Sequence, residues 1–328
     1  MDNMLGIDIA KAKFDVALLR QGKFKEKVFH NHRAGFEALE RWLKTHEATT
    51  VAVCMEATGS YWEALATFLH EAGCRVSVVN PAQIQAYRRA SAVRSKTDSI
   101  DAKLIARFAA SQTPLVWTPP LPELRVLIAL VRDLQYLKDA RQEEENRLGT
   151  AHPEIVERIG RHLAFLEAEV QRVQRAIADH IDRHPQLKAS RDLLDSIPGI
   201  STQTIPWLIS LLGNGARFDS SKQAASFLGL DPRLWQSGSS VRGKACISKT
   251  GHADLRRALY MPGVVAFSRV QAFQPFVARL KAAGKPPKVI IVALMRKLVT
   301  IAWAVLKYRK PFDPALWGVN ELVRCSSK

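Results

Sequence analysis

MLGIDIAKAKFDVALL, residues 4–19, reads as two short strands, and this reading decides the fold of the front of the chain. Its first strand carries Asp8 in an apolar setting, where a carboxylate is costly unless something pairs with it. Gln21 and Gly22 make a turn, and KVFHN returns as a third strand. Residues 33–46 then place Phe36, Leu39, Trp42 and Leu43 at helical spacing. TVAVCMEATG follows as a buried strand ending on Glu56; residues 60–72 form a second helix, CRVSVVN another strand, and PAQIQAYRRAS a third helix opened by Pro81. Three strands joined by turns, then strand and helix in alternation, is the order of an α/β domain with a mixed sheet.

KTDSIDAKLIARF, residues 96–108, sets Asp98 and Asp101 on one face at the head of a further helix, with Leu104, Ile105 and Phe108 behind them to hold it against a core. Two neighbouring carboxylates repel unless one is protonated or a cation lies between them. The plain alternative is that Asp98 caps the helix and Asp101 complements its dipole. Upstream, Asp8 could equally be a turn or capping residue and Glu56 a surface charge. Taken together, the four acids make a hard-oxygen donor set suited to Mg2+. Two such ions about 4 Å apart can stabilise the attacking and leaving oxygens at a phosphodiester. The arrangement resembles the RuvC-like branch of the ribonuclease H fold, and the resemblance implies Asp8, Glu56, Asp98 and Asp101 as its DEDD carboxylates. The actin and sugar-kinase fold also opens on an apolar strand bearing Asp, but the glycine-rich phosphate loops it needs are missing from this sequence.

The chain has 328 residues, enough for two or three domains. Its 48 Lys and Arg against 31 Asp and Glu give a net charge of +17, which calls for a polyanionic partner. Nucleic acid is the first candidate. An anionic membrane is the rival, but no uninterrupted apolar run is long enough for a span and no signal peptide is evident, so a cytoplasmic protein with no membrane partner is expected. Cys54, Cys74, Cys246 and Cys325 lie far apart without a C-x-x-C pair, which argues against a zinc site or a disulfide framework.

TPLVWTPPLPEL, with its four prolines, marks a boundary. Beyond it residues 126–146 form one long helix, and a second carries Ile159, Leu163, Leu166, Val170, Val173 and Ile177 in alternating steps of four and three, a heptad seam. The seam requires a partner face, either the preceding helix or a second protomer. RDLLDSIPGISTQTIPWLISLLG looks like a helix-hairpin-helix, whose turn amides would hold a phosphate, although Ser201 stands where glycine is common and Pro206 is expected to disturb the second helix. An ordinary helical hairpin is the alternative. SGSS, residues 237–240, reads as a solvated loop ahead of a basic segment bearing Arg242, Lys244, Lys249, His252, Arg256 and Arg257. Cations beside a hydroxyl can hold a phosphate and stabilise charge during attack. The closing apolar helix, VIIVALMRKLVTIAWAVLKYRKPFD, is assigned to a core because Arg296 and Lys297 interrupt it as a span.

GIDIAKAKFDVA, CMEATGSY, VNPAQ, KTDSIDAKLIARF, SIPGIS, FLGLDPR, SGSSVRG and KTGHADLRRALYMP, in this order, resemble the transposases of the insertion sequence 110 family along nearly the whole chain. The resemblance implies an α/β RuvC-like domain over 1–120, a helical coiled-coil arm over 121–190 and a mainly α serine transposase domain over 191–328. It implies a recombinase of donor and target DNA, guided by a structured bridge RNA, with Ser237 as nucleophile and Asp8, Glu56, Asp98 and Asp101 binding Mg2+. It implies homodimers pairing into a homotetramer, the acids of one subunit meeting the serine of another. Arg242, Lys244, Lys249, His252, Arg256 and Arg257 would bind nucleic acid. The competing expectations are a junction resolvase that uses the four acids alone, and a nucleic-acid-binding scaffold with a degenerate site.

Overall fold

The computed structural model describes residues 3–48, 51–91, 97–233, 236–237, 241–242, 246–248 and 250–314, with the backbone alone at 236–237 and 241–242. The chain divides into two units, Met1–Pro119 and Pro120–Lys328, and the division falls between adjacent prolines of the proline-rich stretch.

In the first unit, strands β1 (Asn3–Ile9), β2 (Lys13–Arg20) and β3 (Lys23–His30) form an antiparallel meander, while β4 (Val51–Glu56) and β5 (Arg75–Val79) run parallel to β1. The order β3-β2-β1-β4-β5 makes a five-stranded mixed sheet. The third strand is longer than KVFHN because it pairs with β2 along its whole length, from Arg20–Lys23 to Lys13–His30. Period-two alternation sends Leu5, Ile7, Ile9, Val51, Val53 and Met55 to one face, where helices α1 (Arg33–Thr45) and α2 (Glu63–Glu71) cover them. α2 starts later than its sequence suggests: residues 60–62 turn first, and the Trp62 indole donates to the Gly59 carbonyl. The other face carries Gly6, Asp8, Cys54 and Glu56 beneath α3 (Pro81–Ala90) and α4 (Asp98–Gln112). Asn80 caps α3 and Pro81 opens it. As expected, Leu104, Ile105 and Phe108 bury against this face.

In the second unit, α5 (Pro122–Leu148) and α6 (Pro153–Arg183) pack antiparallel. Their register is fixed by Arg141 to Glu167 at 2.5 Å, His162 Nδ1 to Glu144 at 2.8 Å, and His180 Nε2 to the Glu123 carbonyl at 2.8 Å. Val170, Val173 and Ile177 of the seam share a core with Leu127, Val131 and Leu134 of α5, so the seam's described partner is the preceding helix of the same chain. That core continues into α7 (Pro185–Asp195), α8 (Ile205–Leu212), α9 (Ser221–Phe227), α10 (Ala253–Ser268), α11 (Gln274–Ala282) and α12 (Pro287–Tyr308).

Pro206 does not disturb α8. It occupies the first turn, where its missing N–H is one the helix could not have paired anyway. α8 itself is buried on nearly every side and serves the core. α12 is long and apolar enough to cross a membrane despite Arg296 and Lys297, but 67% of its apolar window is buried inside the protein, as befits a core helix. Between α9 and α10 the chain folds back as two short ladders, β6 (Pro232–Arg233) with β9 (Cys246–Ile247) and β7 (Gln236–Ser237) with β8 (Val241–Arg242). Ser237, expected in a loop, pairs through its backbone with Val241 as part of this hairpin.

Candidate functional site

The acidic site is built by one close approach. A Cβ on Gly6 would come within 2.1 Å of the Ala102 carbonyl oxygen and 2.4 Å of the Ala106 nitrogen, so only glycine lets α4 lie this close to β1. Asp8 is two residues further along the same face of β1, and the first turn of α4, with Asp98 and Asp101, lies over that end of the strand. β1 and β4 pair in parallel through Ile7–Met55, so Asp8 and Glu56 follow side by side one step later. Thr97 caps α4, its hydroxyl accepting from the Ile100 amide at 3.3 Å. Asp98 is therefore not the cap, and its carboxylate is left to other work. Lys103 and Ser99 both reach Glu26 on β3, tying the outer side of α4 to the sheet.

A fifth carboxylate belongs to this face. Asp15 of β2 lies directly across from Asp8 in the antiparallel register and is 7% exposed. Its sequence setting, KFDVALLR, gives no sign of this, because cross-strand position depends on the register of the turn at residues 10–12. Burial, followed by the charges of Asp101, Asp98, Glu56 and Asp15 in that order, pushes the Asp8 carboxyl from 3.8 up to about 6. The acids thus lie within electrostatic reach of one another, on one sheet face.

Two cations already serve the group. Lys13 Nζ lies 2.8 Å from Asp98 Oδ2 and 3.2 Å from Asp15 Oδ2. Arg88 of α3 pairs with Asp101, both side chains being largely buried. Among the described residues, no three His, Cys, Asp or Glu side chains are grouped closely enough to hold a metal ion as they are placed. The donor chemistry nevertheless suits a hard divalent cation: every donor is a carboxylate, and Asp8, whose pKa is raised first by burial and then by its acidic neighbours, would be relieved by such an ion.

The serine and the basic segment lie in the second unit. Of Ser237 and Arg242 the backbone positions are described, in paired strands β7 and β8, while Lys244, Lys249 and residues 238–240 lie outside the described residues. Downstream, Gly251 adopts a φ of +120°, and a Cβ there would meet the Phe227 carbonyl at 2.1 Å. That contact sets the start of α10, where the His252 ring packs on Phe227 at 4.6 Å between centroids. Arg217 stacks on the same Phe227 at 4.7 Å. Desolvation, then Arg217 and Arg132, lower the His252 pKa. Sequence reasoning missed Arg217 and Arg132, since neither belongs to the basic run and only folding brings them to it. Arg256 donates to the Leu228 carbonyl at 2.8 Å and so ties α10 to the end of α9, while Arg257 makes an exposed ion pair with Asp139 of α5 at 2.6 Å.

Comparison with known proteins matches two stretches of the chain. Residues 5–155 match the DEDD transposase family of IS110 elements, described as Transposase, and residues 191–278 match the Transposase IS116/IS110/IS902 family. The chain is 37% identical over 312 residues to the pilin gene-inverting protein of Moraxella lacunata, covering 94% of this chain and 97% of that one, and equally to its counterpart in Moraxella bovis. It is 24% identical over 337 residues to the transposase for insertion sequence element IS1328 of Yersinia enterocolitica, covering 92% of this chain and 96% of that one. With an α/β unit bearing the acids, a helical unit bearing the serine hairpin, and this likeness along nearly its whole length, the chain belongs to the IS110 family of transposases.

Proposed function

We propose that the protein is a DNA recombinase that cuts and rejoins donor and target DNA through Ser237, with Asp8, Glu56, Asp98 and Asp101 holding Mg2+ and a bridge RNA choosing the sites. The observation that carries this reading is geometric: the β1–β4 ladder and the close approach of α4 to Gly6 bring Asp8, Glu56, Asp98 and Asp101 to one sheet face, and burial together with these neighbours raises the Asp8 pKa to about 6. The sheet order β3-β2-β1-β4-β5 supports the RuvC-like reading of the first unit. When bound, Mg2+ would polarise the scissile phosphate and stabilise the displaced oxygen. The acids would orient that phosphate. Ser237 Oγ would then attack phosphorus, losing its proton as a sugar oxygen leaves and takes one up. The serine ester keeps the energy of the phosphodiester, so a sugar hydroxyl can reverse the exchange on a new partner without ATP.

In this reading residues 1–120, 121–190 and 191–328 act as the RuvC-like domain, a coiled-coil arm and the serine transposase domain. Dimers would pair into a tetramer in which one subunit's acids serve another's serine, in the cytoplasm. Lys244, Lys249, Arg242, His252, Arg256 and Arg257 would contact nucleic-acid backbone, leaving sequence choice to guide pairing. A second reading, inversion of a DNA segment, is favoured by the relatives named for pilin gene inversion at 37% identity.

The test is to purify the protein with its copurifying RNA, add donor and target DNA with Mg2+, and look for recombinant joints and protein–DNA adducts. Recombination that needs the RNA supports the proposal; an RNA-free preparation that recombines equally well removes the guide. A plasmid carrying donor and target sites in inverted orientation separates inversion from insertion by its product.

A further inference from the structure

Lys13 sits where a metal ligand would have to let go of it. Its ammonium bridges Asp98 at 2.8 Å and Asp15 at 3.2 Å, two residues before Asp15 on β2 and therefore on the face that Asp8 shares. The two ends of this bridge differ. Asp98 has a side chain 58% exposed, opens α4 and is not needed as its cap. Asp15 has a side chain only 10% exposed and is set in the middle of the sheet by its ladder to Asp8 and Val28. The first contact is cheap to break, because exposed ion pairs are worth little. The second keeps hold of the ammonium after the first is broken. Arg88 makes the contrast plain: its pair with Asp101 is largely buried on both sides, where separating charges is costly, so it orients Asp101 and stays.

We propose that Lys13 is an internal counter-cation of the acidic site, holding Asp98 while no metal is bound, yielding it when a divalent ion enters, and resting on Asp15 thereafter. Asp15 is then a positioning residue that acts through Lys13. The inference rests on the reading of Asp8, Glu56, Asp98 and Asp101 as metal ligands. It accounts for the placement of Asp98, whose carboxylate is turned towards Lys13. It also explains why a buried Asp15 stands beside a site already crowded with negative charge.

The experiment titrates Mn2+ into the full-length protein, with free Mn2+ read by electron paramagnetic resonance and no DNA present. Lys13→Met removes the competitor, so affinity should rise about 5-fold to 10-fold, the scale of one partly screened charge contact. Asp15→Asn leaves Lys13 with Asp98 alone, so affinity should fall about 3-fold. The decisive arm is the double variant: without the ammonium Asp15 keeps only its direct field on the neighbouring acids, so Asp15→Asn should cost clearly less in the Lys13→Met background than in the parent. If Asp15 instead acts only through its own negative field, its substitution will weaken binding equally in both backgrounds, and that result overturns the proposal. Lys13→Met binding no more tightly than the parent overturns it too. Lys13→Gln repeats the test with a polar side chain, should the Met variant unfold. An Asp101→Asn control separates the two levels: Mn2+ binding that is absent from the parent, or indifferent to Asp101→Asn, removes the metal-site reading and the Lys13 role with it. Binding lost in Asp101→Asn but unmoved by Lys13→Met removes the Lys13 role alone.

Discussion

The acidic face and the serine hairpin are held in different ways. Asp8, Asp15, Glu56, Asp98 and Asp101 come from four elements spread over most of the first unit, and each is fixed by a sheet ladder or by α4 pressing on Gly6. Ser237 is held by its neighbours in sequence, through a ladder of two residue pairs, Gln236–Arg242 and Ser237–Val241. The first site depends on tertiary packing, so a change remote from the carboxylates can spoil it. Among the described residues, the second rests on backbone pairing within one short segment, so changes in that segment should reach it most directly. Charge follows the same division: burial and the neighbouring acids raise one carboxyl, Asp8, to about 6, while the second unit gathers Arg132, Arg217 and Arg256 around His252.

Substitutions that remove the chemistry should have the largest effects and should sort by unit. Asp8→Asn and Asp101→Asn should each reduce DNA strand cleavage by roughly 1,000-fold or more, the scale expected when metal-assisted charge stabilisation is lost. Ser237→Ala should abolish adducts while leaving Mn2+ binding at the acids unchanged. Adducts that persist in Ser237→Ala would break the division of labour. Next in size is Gly6→Val, which forces side-chain atoms into the α4 backbone and should cost about 3 kcal/mol by urea denaturation. Metal binding should fall with it, although no ligand has been touched. Unaltered Mn2+ affinity in a folded Gly6→Val protein would show that α4 docking does not set the site.

A smaller effect follows from Asp8. Its folded pKa, about 6, lies above the ordinary 3.8, so the folded state holds this proton more tightly than the unfolded chain. The resulting stability is fully present below pH 3.8 and is lost as pH rises through about 6. Metal-free protein should lose about 1–2 kcal/mol across that window, allowing for solvent screening at a partly exposed carboxyl. Asp8→Asn should flatten this segment of the pH–stability curve, and added Mg2+ should do the same in the parent. Smallest of all is Arg257→Ala. Breaking its exposed pair with Asp139 should change stability by less than about 0.5 kcal/mol, while lowering DNA affinity and reducing the salt slope by about one. A large loss of stability would recast Arg257 as a structural residue.

Much of this was legible in the residues themselves. Period-two alternation gave the strands, and the apolar spacing of Leu104, Ile105 and Phe108 gave the buried side of α4. The seam of α6 was visible as a pattern, but a pattern specifies a face and not its partner, so the choice of α5 needed the fold. Asp15 was invisible for a physical reason: its place beside Asp8 is fixed by the β1–β2 register, which one residue more in the turn would have reversed. Gly6 looked like any strand glycine until α4 was seen against it. Thr97 caps α4, and the sequence is ambiguous here because Thr and Asp, side by side at 97 and 98, are both good N-cap residues. Arg217 and Arg132 join His252 only through tertiary contact, beyond the reach of a linear reading of the basic segment.

The central claim is that the acids of the first unit and the serine of the second act on one phosphodiester. The most direct measurement traps the protein on donor DNA with its RNA and Mg2+, digests the complex, and locates the DNA-linked residue by mass spectrometry in the parent and in Asp8→Asn. The account predicts a phosphate ester on Ser237 in the parent and none in Asp8→Asn. An ester on another residue, or one on Ser237 at undiminished yield in Asp8→Asn, would contradict it.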